Sequence, residues 1–266
     1  MGPVDYRGGT TIVTGASSGI GAAFARRLAA RGSHLVLVAR RRDRLEQLAA
    51  ELTAQHGVQV TVVPLDLARP DAGRTLAGEL EQRGVRPTSL VNNAGFGTWG
   101  PFHEEDQERL QEEIAVDVAA LVDLSRAFIA PLRAAGTGVL VNVASVAGYG
   151  GIPGMATYSA AKAFVLTFTE ALWAESRGTG LRVLSLSPGA TETEFFDVIG
   201  TDAADGGTRR ETPLQVVDAA LAVLDRRDPP PSFVSGRANR VLATAGRLVS
   251  RRLRVLGAAR VAQRAA

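Results

Sequence analysis

The stretch TTIVTGASSGIG, residues 10–21, joins a short β-branched run to a turn that contains three glycines. A helical pattern follows it at once. Glycines at a strand-to-helix turn let the backbone bend tightly and approach a ligand, and the first N–H groups of the helix suit a pyrophosphate. The stretch therefore predicts a dinucleotide-binding strand, turn and helix. The alternative is a turn with a structural role only.

The same alternation of strand and helix continues along the chain. Short runs rich in Ile, Val and Leu predict strands at 10–14, 34–39, 59–65, 89–92, 138–143, 182–187 and 233–234. Helical patterns lie at 20–31, 43–55, 71–83, 104–135, 156–177 and 213–226. Repeated βα units predict an α/β fold with a Rossmann-type, doubly wound parallel sheet in a single domain.

The second predicted strand ends in Val38-Ala39-Arg40-Arg41-Arg42, with no acid at its tip. An acid at this place would bind the ribose 2′-hydroxyl of NAD, whereas arginine suits a 2′-phosphate through charge-assisted hydrogen bonds. The sequence therefore favours NADP over NAD, with Arg40 as the main phosphate ligand. The alternative is a solvated start to the next helix.

Lys162 is the single lysine among 30 basic residues, and it follows Tyr158 by four positions. Residues four apart share a helix face, so the phenol and the ammonium are expected in one site. A nearby cation lowers the pKa of a tyrosine and makes it usable as an acid or base. The alternative is a chance pair on the surface.

Composition restricts the other chemistries. The chain has no cysteine and three unpaired histidines, so no disulfide, thiolate nucleophile or metal site is expected. No signal peptide opens the chain and no apolar run is long enough to span a bilayer, so the cytoplasm is the expected compartment. Residues 229–266 hold eight arginines and no acid, and the remainder carries 22 basic and 27 acidic residues. This distribution argues against a nucleic-acid partner.

Across residues 8–236 the sequence resembles the short-chain dehydrogenase/reductase family. The resemblance rests on TGASSGIG at 14–21, Asp66-Leu67, Asn92-Asn93-Ala94-Gly95, Ser145 placed 13 residues before Tyr158, the Tyr158/Lys162 pair, and Pro188-Gly189 with Thr191 and Thr193. It implies cofactor contacts by Gly15, Ser17, Ser18, Gly19, Ile20, Gly21, Arg40, Asp66, Leu67, Asn92, Ala94, Tyr158, Lys162, Pro188, Gly189, Thr191 and Thr193.

The resemblance also implies a reaction, the NADP-dependent interconversion of a carbonyl and an alcohol. Ser145 would donate a hydrogen bond to the substrate oxygen, Tyr158 would exchange a proton with it, and Lys162 would bind the nicotinamide ribose. Asp117 stands where the family usually has an asparagine that marks a water site leading to the lysine. Its charge is expected to raise the pKa of Lys162 and to affect the pH profile.

The remaining expectations concern the substrate and the ends of the site. The segment after Thr193 is predicted to form a lid, and apolar side chains would line a pocket for a small apolar ketone, aldehyde or alcohol: Phe96, Trp99, Tyr149, Phe195, Phe196 and Ile199. We expect a homo-oligomer.

Residues 237–266 are predicted to form a basic amphipathic helix. Its apolar face would hold Val241, Ala245, Leu248, Leu253 and Leu256, and its basic face Arg240, Arg247, Arg251 and Arg254. Such a helix could pack on protein, which we favour, or rest on an anionic membrane surface. Two alternative functions stay open, an NADPH sensor with little turnover and a membrane-docked scaffold.

Overall fold

Seven parallel strands form one sheet in the computed structural model, which describes residues 2–205, 207–246 and 248–265, without the side chains of 261–265. The strands are β1 (Thr10–Thr14), β2 (His34–Ala39), β3 (Val60–Pro64), β4 (Ser89–Asn92), β5 (Val139–Val143), β6 (Arg182–Ser187) and β7 (Ser232–Val234). Their order is β3-β2-β1-β4-β5-β6-β7. The predicted doubly wound parallel sheet is confirmed, with strand ends within two residues of the predicted ones.

Helices cover both faces of the sheet. They are α1 (Gly19–Ala30), α2 (Arg42–His56), α3 (Ala72–Gln82), α4 (Gln107–Ile114), α5 (Leu121–Ala135), α6 (Ala156–Glu175), α7 (Phe195–Ile199), α8 (Pro213–Leu224), α9 (Arg237–Gly246) and α10 (Arg251–Ala265). Phe24 and Leu221 belong to the core on one face, and Leu76 and Leu124 belong to the core on the other. Because both faces are buried, the central strands are almost wholly apolar.

The single helix predicted at 104–135 is wrong in detail. A short 3₁₀ turn spans Phe102–Glu104, and α4 and α5 are separated by a π-helical turn at Ala115–Ala120. Such a turn inserts an extra residue into a helix and is frequent at functional sites. Here it contains Asp117, whose side chain is buried.

The single helix predicted for the tail is also wrong, because α9 ends at Gly246 and α10 begins at Arg251. Glycine is a poor helix former, which accounts for a break at this position. Leu248 lies between the helices and is 90% exposed, so it does not continue an apolar face. Arg247 lies outside the described residues. No helix in the described part of the chain is long and apolar enough to cross a bilayer.

Candidate active site

A cleft of about 410 Å³ opens where β1 and β4 end, which is the point where the strand order reverses. Ligands of open α/β sheets bind at this crevice. Most of the predicted cofactor residues line it, namely Gly15, Ser17, Ser18, Gly19, Ile20, Arg40, Asp66, Leu67, Ala94, Tyr158, Lys162, Pro188, Gly189, Thr191 and Thr193. The predicted Ser145 also lies in its wall.

The glycine turn leaves room for a ligand beside the start of α1. Gly15 has φ +63°, a conformation that favours glycine, and a side chain at Gly21 would lie 2.3 Å from the Gly15 carbonyl oxygen. Ser18 precedes α1 and makes no side-chain cap, and the first turn of the helix has no acid. The free N–H groups therefore suit the pyrophosphate of a dinucleotide.

Two arginines of the β2–α2 connection line the cleft. Arg40 pairs with Glu112, with Nη1 3.2 Å from Oε1. Arg41 reaches the glycine turn, where its Nη2 donates to Ser17 Oγ at 3.0 Å and to Ser18 Oγ at 2.9 Å, and its Nη1 donates to Glu194 at 2.7 Å. The structure thus places Arg41 closer to the phosphate turn than the sequence alone suggested.

Asn92, predicted to contact the cofactor, does not line the cleft. Its side-chain amide donates to Ser125 Oγ at 3.1 Å and to Asn142 Oδ1 at 2.9 Å, inside the protein. The next residue, Asn93, lines the cleft and donates to the Thr14 carbonyl oxygen at 2.9 Å. Of this asparagine pair, the second therefore faces the site.

Ser145, Tyr158 and Lys162 meet in the cleft, as the sequence predicts. Ser145 lies two residues after the end of β5, and its Oγ accepts from the N–H of Ala147 at 3.1 Å. Tyr158 and Lys162 are buried on one face of α6 and lie with the lysine Nζ 5.4 Å from the tyrosine ring centroid. A hydroxyl, a phenol and an ammonium together can bind a carbonyl oxygen and transfer a proton to it.

Asp117 forms a buried ion pair with Lys162. Lys162 Nζ lies 2.9 Å from Asp117 Oδ2 and also donates to the Val143 carbonyl oxygen at 3.3 Å. The other carboxylate oxygen accepts from the N–H of Phe96 at 3.0 Å. Burial is the largest effect and lowers the pKa of Lys162, but the charge and hydrogen bond of Asp117 together with the charges of Tyr158 and Glu113 outweigh it, so the net direction is upward, as expected.

The pKa of Tyr158 differs from the sequence expectation. Lys162 does lower it, and so does a hydrogen bond with Ser145, but burial of the phenol is the largest effect and raises the pKa. The charges of Asp117 and Glu113 act in the same direction as burial. The net pKa of Tyr158 is therefore above its ordinary value, because burial and the two carboxylates together outweigh Lys162 and Ser145.

Glu113 was missed by the sequence analysis. It lies four residues before Asp117, is 0% exposed, and carries two carboxyl oxygens without a hydrogen bond of good geometry in the described structure. Burial raises its pKa to about 7. The available signal was helical spacing alone, since Glu113 lies four residues before Asp117 and therefore on the same helix face.

The aromatic lining is only partly as predicted. Phe96, Phe195 and Phe196 line the cleft, and the ring centroids of Phe195 and Tyr158 lie 5.2 Å apart. Three others do not line it, namely Trp99, Tyr149 and Ile199. Trp99 packs behind Tyr158 and Tyr149 packs on the α5–α6 core. Of the segment predicted as a lid, α7 and Ala204 line the cleft, and Gly206 lies outside the described residues.

Comparison with known proteins gives the chain a family. A family model for short chain dehydrogenases matches residues 9–204. Sulfoacetaldehyde reductase 2 of Chromohalobacter salexigens is 40% identical over 214 residues, which are 79% of this chain and 84% of the relative.

Solved structures agree with this match. A short-chain dehydrogenase of Sphingobium yanoikuyae in complex with NADPH is 37% identical, with a TM-score of 0.79 over 90% of this chain and 93% of that one. The bulky-bulky ketone specific alcohol dehydrogenase of Comamonas testosteroni is 30% identical, with a TM-score of 0.75 over 90% and 92%. This chain belongs to the short-chain dehydrogenase/reductase family of oxidoreductases.

Proposed function

We propose that this chain is an NADP-dependent oxidoreductase that interconverts a small apolar ketone or aldehyde with its alcohol, using Tyr158 as the acid or base. The observation that carries the proposal is the meeting of Ser145, Tyr158 and Lys162 in the same cleft as the glycine turn. A binding protein without turnover has no use for a buried phenol between a hydroxyl and an ammonium.

NADP is the cofactor. Relatives of this fold are bound to NADPH, and the cleft of this chain offers two arginines and two serines beside the phosphate turn. The free N–H groups of α1 would hold the pyrophosphate, and Arg40 and Arg41 would hold the 2′-phosphate. When bound, NADP supplies or accepts the hydride.

The chain's own residues would handle the substrate oxygen. Ser145 would donate a hydrogen bond that orients the carbonyl, and Tyr158 would give its proton to the oxygen during reduction. The raised pKa of Tyr158 keeps the phenol protonated at neutral pH, which suits an acid. Lys162 would orient the nicotinamide ribose and support the phenolate that remains.

Apolar side chains favour an apolar substrate. The side of the cleft near Tyr158 is formed by Phe96, Ile152, Met155 and Phe195. Arg109 also lines the cleft, but its charge is paired with Glu112 at 3.1 Å and its guanidinium lies 4.1 Å from the Phe96 ring centroid. Because the rest of the lining near Tyr158 is apolar and the Arg109 guanidinium lies over the Phe96 ring, we favour an uncharged substrate over a sulfonated aldehyde.

The test is NADPH oxidation by the purified chain with a panel of aliphatic and aromatic ketones and aldehydes, and with sulfoacetaldehyde. We expect turnover of uncharged apolar carbonyls. Turnover of sulfoacetaldehyde alone would contradict the substrate class and would assign Arg109 to its sulfonate. An absence of turnover on the whole panel, with tight NADPH binding, would favour the sensor alternative.

We further propose that residues 8–236 form the catalytic domain and that the tail, residues 237–266, packs on it beside the cleft. Arg254 of α10 donates to the Tyr149 carbonyl oxygen at 2.8 Å. Asn239 of α9 lies so close to Gly189 that a side chain at Gly189 would meet its Nδ2 at 2.1 Å. These contacts tie the tail to the segment that lines the cofactor site.

Deletion of residues 237–266 tests this placement. We expect the deletion to weaken NADPH binding. We expect neither the full chain nor the truncated chain to sediment with anionic vesicles. Vesicle binding by the full chain that disappears on deletion would instead assign the exposed Val241, Leu248 and Leu253 to a membrane surface.

A further inference from the structure

The buried carboxyl of Glu113 has no role in the reaction described above. It lies on α4, one helical turn before the Asp117 of the buried ion pair, and its side chain is inaccessible to solvent. Neither of its oxygens makes a hydrogen bond of good geometry with the described residues. An ionised carboxylate in such a place is costly, so the group is neutral unless a cation compensates it.

The groups facing Glu113 come from three elements. Asp117 lies on its own helical segment, Lys162 and Tyr158 lie on α6, and Thr98 lies on the loop after β4. Asp117 raises the pKa of Glu113, whereas Lys162 and the hydroxyl and N–H of Thr98 lower it. Burial is the main reason why Glu113 keeps its proton. Lys162 does little to remove that proton, because its charge is already paired with Asp117.

The Asp117–Lys162 pair leaves little space beside it. A side chain at Gly95 would lie 2.7 Å from Asp117 Oδ1 and 3.0 Å from Lys162 Nζ. Asp117 is therefore the group that contacts Lys162 beside Gly95, and Glu113 lies one helical turn before Asp117. Glu113, Asp117 and Lys162 all act electrostatically on the phenol of Tyr158, so the two carboxyls and the ammonium share one buried region with it.

We propose that Glu113 is the internal proton donor of this site and that Asp117 and Lys162 pass its proton to Tyr158. The inference rests on the proposed role of Tyr158 as the acid. In reduction, the O–H bond of Tyr158 breaks as a new O–H bond forms on the substrate oxygen. The phenolate takes a proton from Lys162 Nζ, the lysine regains one through Asp117, and Glu113 is left as a carboxylate.

The balance of charge supports this sequence of steps. With Glu113 neutral, the charges of Asp117 and Lys162 cancel and Tyr158 is protonated. After the substrate has taken its proton, one negative charge remains inside, and it lies on Glu113, which does not line the cleft. A proton from solvent must then return to Glu113 between turnovers, which requires a transient opening of the site, and oxidation of an alcohol follows the same steps in reverse.

The direct test compares the pH dependence of carbonyl reduction in the parent, Glu113→Gln and Glu108→Gln. Glutamine keeps the shape of Glu113 but holds no exchangeable acidic proton. Glu108 lies on the same helix and is exposed, so its variant is a matched control. Folding of each variant is checked by thermal unfolding and NADPH binding.

We expect the kcat of the parent and of Glu108→Gln to fall as pH rises through about 7, where Glu113 loses its proton. Glu113→Gln should lose this limb and turn over about tenfold or more slowly below it, a smaller loss than removal of a direct acid. NADPH affinity should be unchanged. A profile of Glu113→Gln that matches the parent in shape and height would overturn the proposal.

Infrared titration of the protein without substrate gives a second readout that needs no activity. The parent should show a protonated buried carboxyl that ionises near neutral pH, and Glu113→Gln should lack it. Absence of a protonated buried carboxyl in the parent would overturn the role of Glu113, even if the loss of activity in Tyr158→Phe confirms that Tyr158 is the acid. If Glu113→Gln does not fold, the test uses the parent alone. The pH at which its buried carboxyl is half ionised in the infrared titration should then equal the midpoint pH of its kcat profile. A mismatch would contradict the proposed proton transfer from Glu113.

Discussion

Glu113 should make the free energy of unfolding depend on pH in the direction opposite to that of most acidic residues. Replacement of Glu113 by glutamine should remove this dependence. Burial raises the pKa of this carboxyl from 4.5 to about 7 in the folded chain. Between these values the folded state binds more protons than the unfolded state, so its stability falls as pH rises and is constant above about 7. An acid with a lowered pKa would give the reverse.

The magnitude follows from the same two values. Each pH unit between them corresponds to about 1.4 kcal/mol, so the window between about pH 5 and about pH 8 contains at most ~2.5 kcal/mol. Relaxation of the helix and entry of water reduce this to about 2 kcal/mol. As pH rises through this window, the free energy of unfolding of Glu113→Gln should therefore increase by about 2 kcal/mol relative to that of the parent. This corresponds to about 4 °C in Tm.

Urea unfolding of the parent, Glu113→Gln and Glu108→Gln at the two pH values measures this difference. Any pH-independent cost of a buried amide cancels, because only the change between the two pH values is compared. The Glu108 control should follow the parent, since that side chain is exposed. A constant offset between Glu113→Gln and the parent would show that Glu113 ionises normally and would refute the reasoning.

Four further substitutions test other contacts of the site. Arg40→Ala and Arg41→Ala should each reduce the preference for NADPH over NADH, and the larger loss is expected at Arg41. That loss should be about tenfold or more, because hydrogen bonds to a charged group are worth ~1.5–3 kcal/mol. Fluorescence titration measures both cofactor affinities, and equal affinities in the parent would contradict this prediction. Lys162→Arg should be strongly impaired in turnover, since the buried space between Asp117 and Val143 does not fit a planar guanidinium; parental turnover at the same pH optimum would exclude a special role for the lysine. Asp117→Asn should move the limb near pH 7 in carbonyl reduction to lower pH, because Asp117 raises the pKa of Glu113; an unmoved limb in the kcat profile would show that Asp117 does not act on Glu113.

The sheet could be predicted from the sequence because each parallel strand is a nearly unbroken apolar run that ends at a glycine or a polar turn. The positions of Ser145, Tyr158 and Lys162 followed from helical spacing and from the resemblance. The break between α4 and α5 could not be read in the same way, since a π-helical turn changes the backbone without changing the apolar pattern.

The electrostatics of the site depended on burial, which spacing alone does not give. Glu113 belongs to a segment rich in acids and looks like a solvated face, yet the fold buries it against α6. Tyr158 was expected to have a lowered pKa because of Lys162, but the balance was decided by desolvation and by the carboxylate that matches the lysine. The tail showed a basic and an apolar face in sequence, and in the structure it forms two helices, of which α10 donates to the Tyr149 carbonyl oxygen and α9 lies beside Gly189.

The most direct test of the proposed activity is NADPH oxidation by the parent and by Tyr158→Phe with the best apolar carbonyl of the panel, together with NADPH binding by both. Phenylalanine keeps the ring that packs against Phe195 and removes the group that passes the proton. We expect Tyr158→Phe to bind NADPH as the parent does and to turn over about 10²–10⁴-fold more slowly. Turnover within about twofold of the parent would exclude Tyr158 as the acid and contradict the proposed reaction.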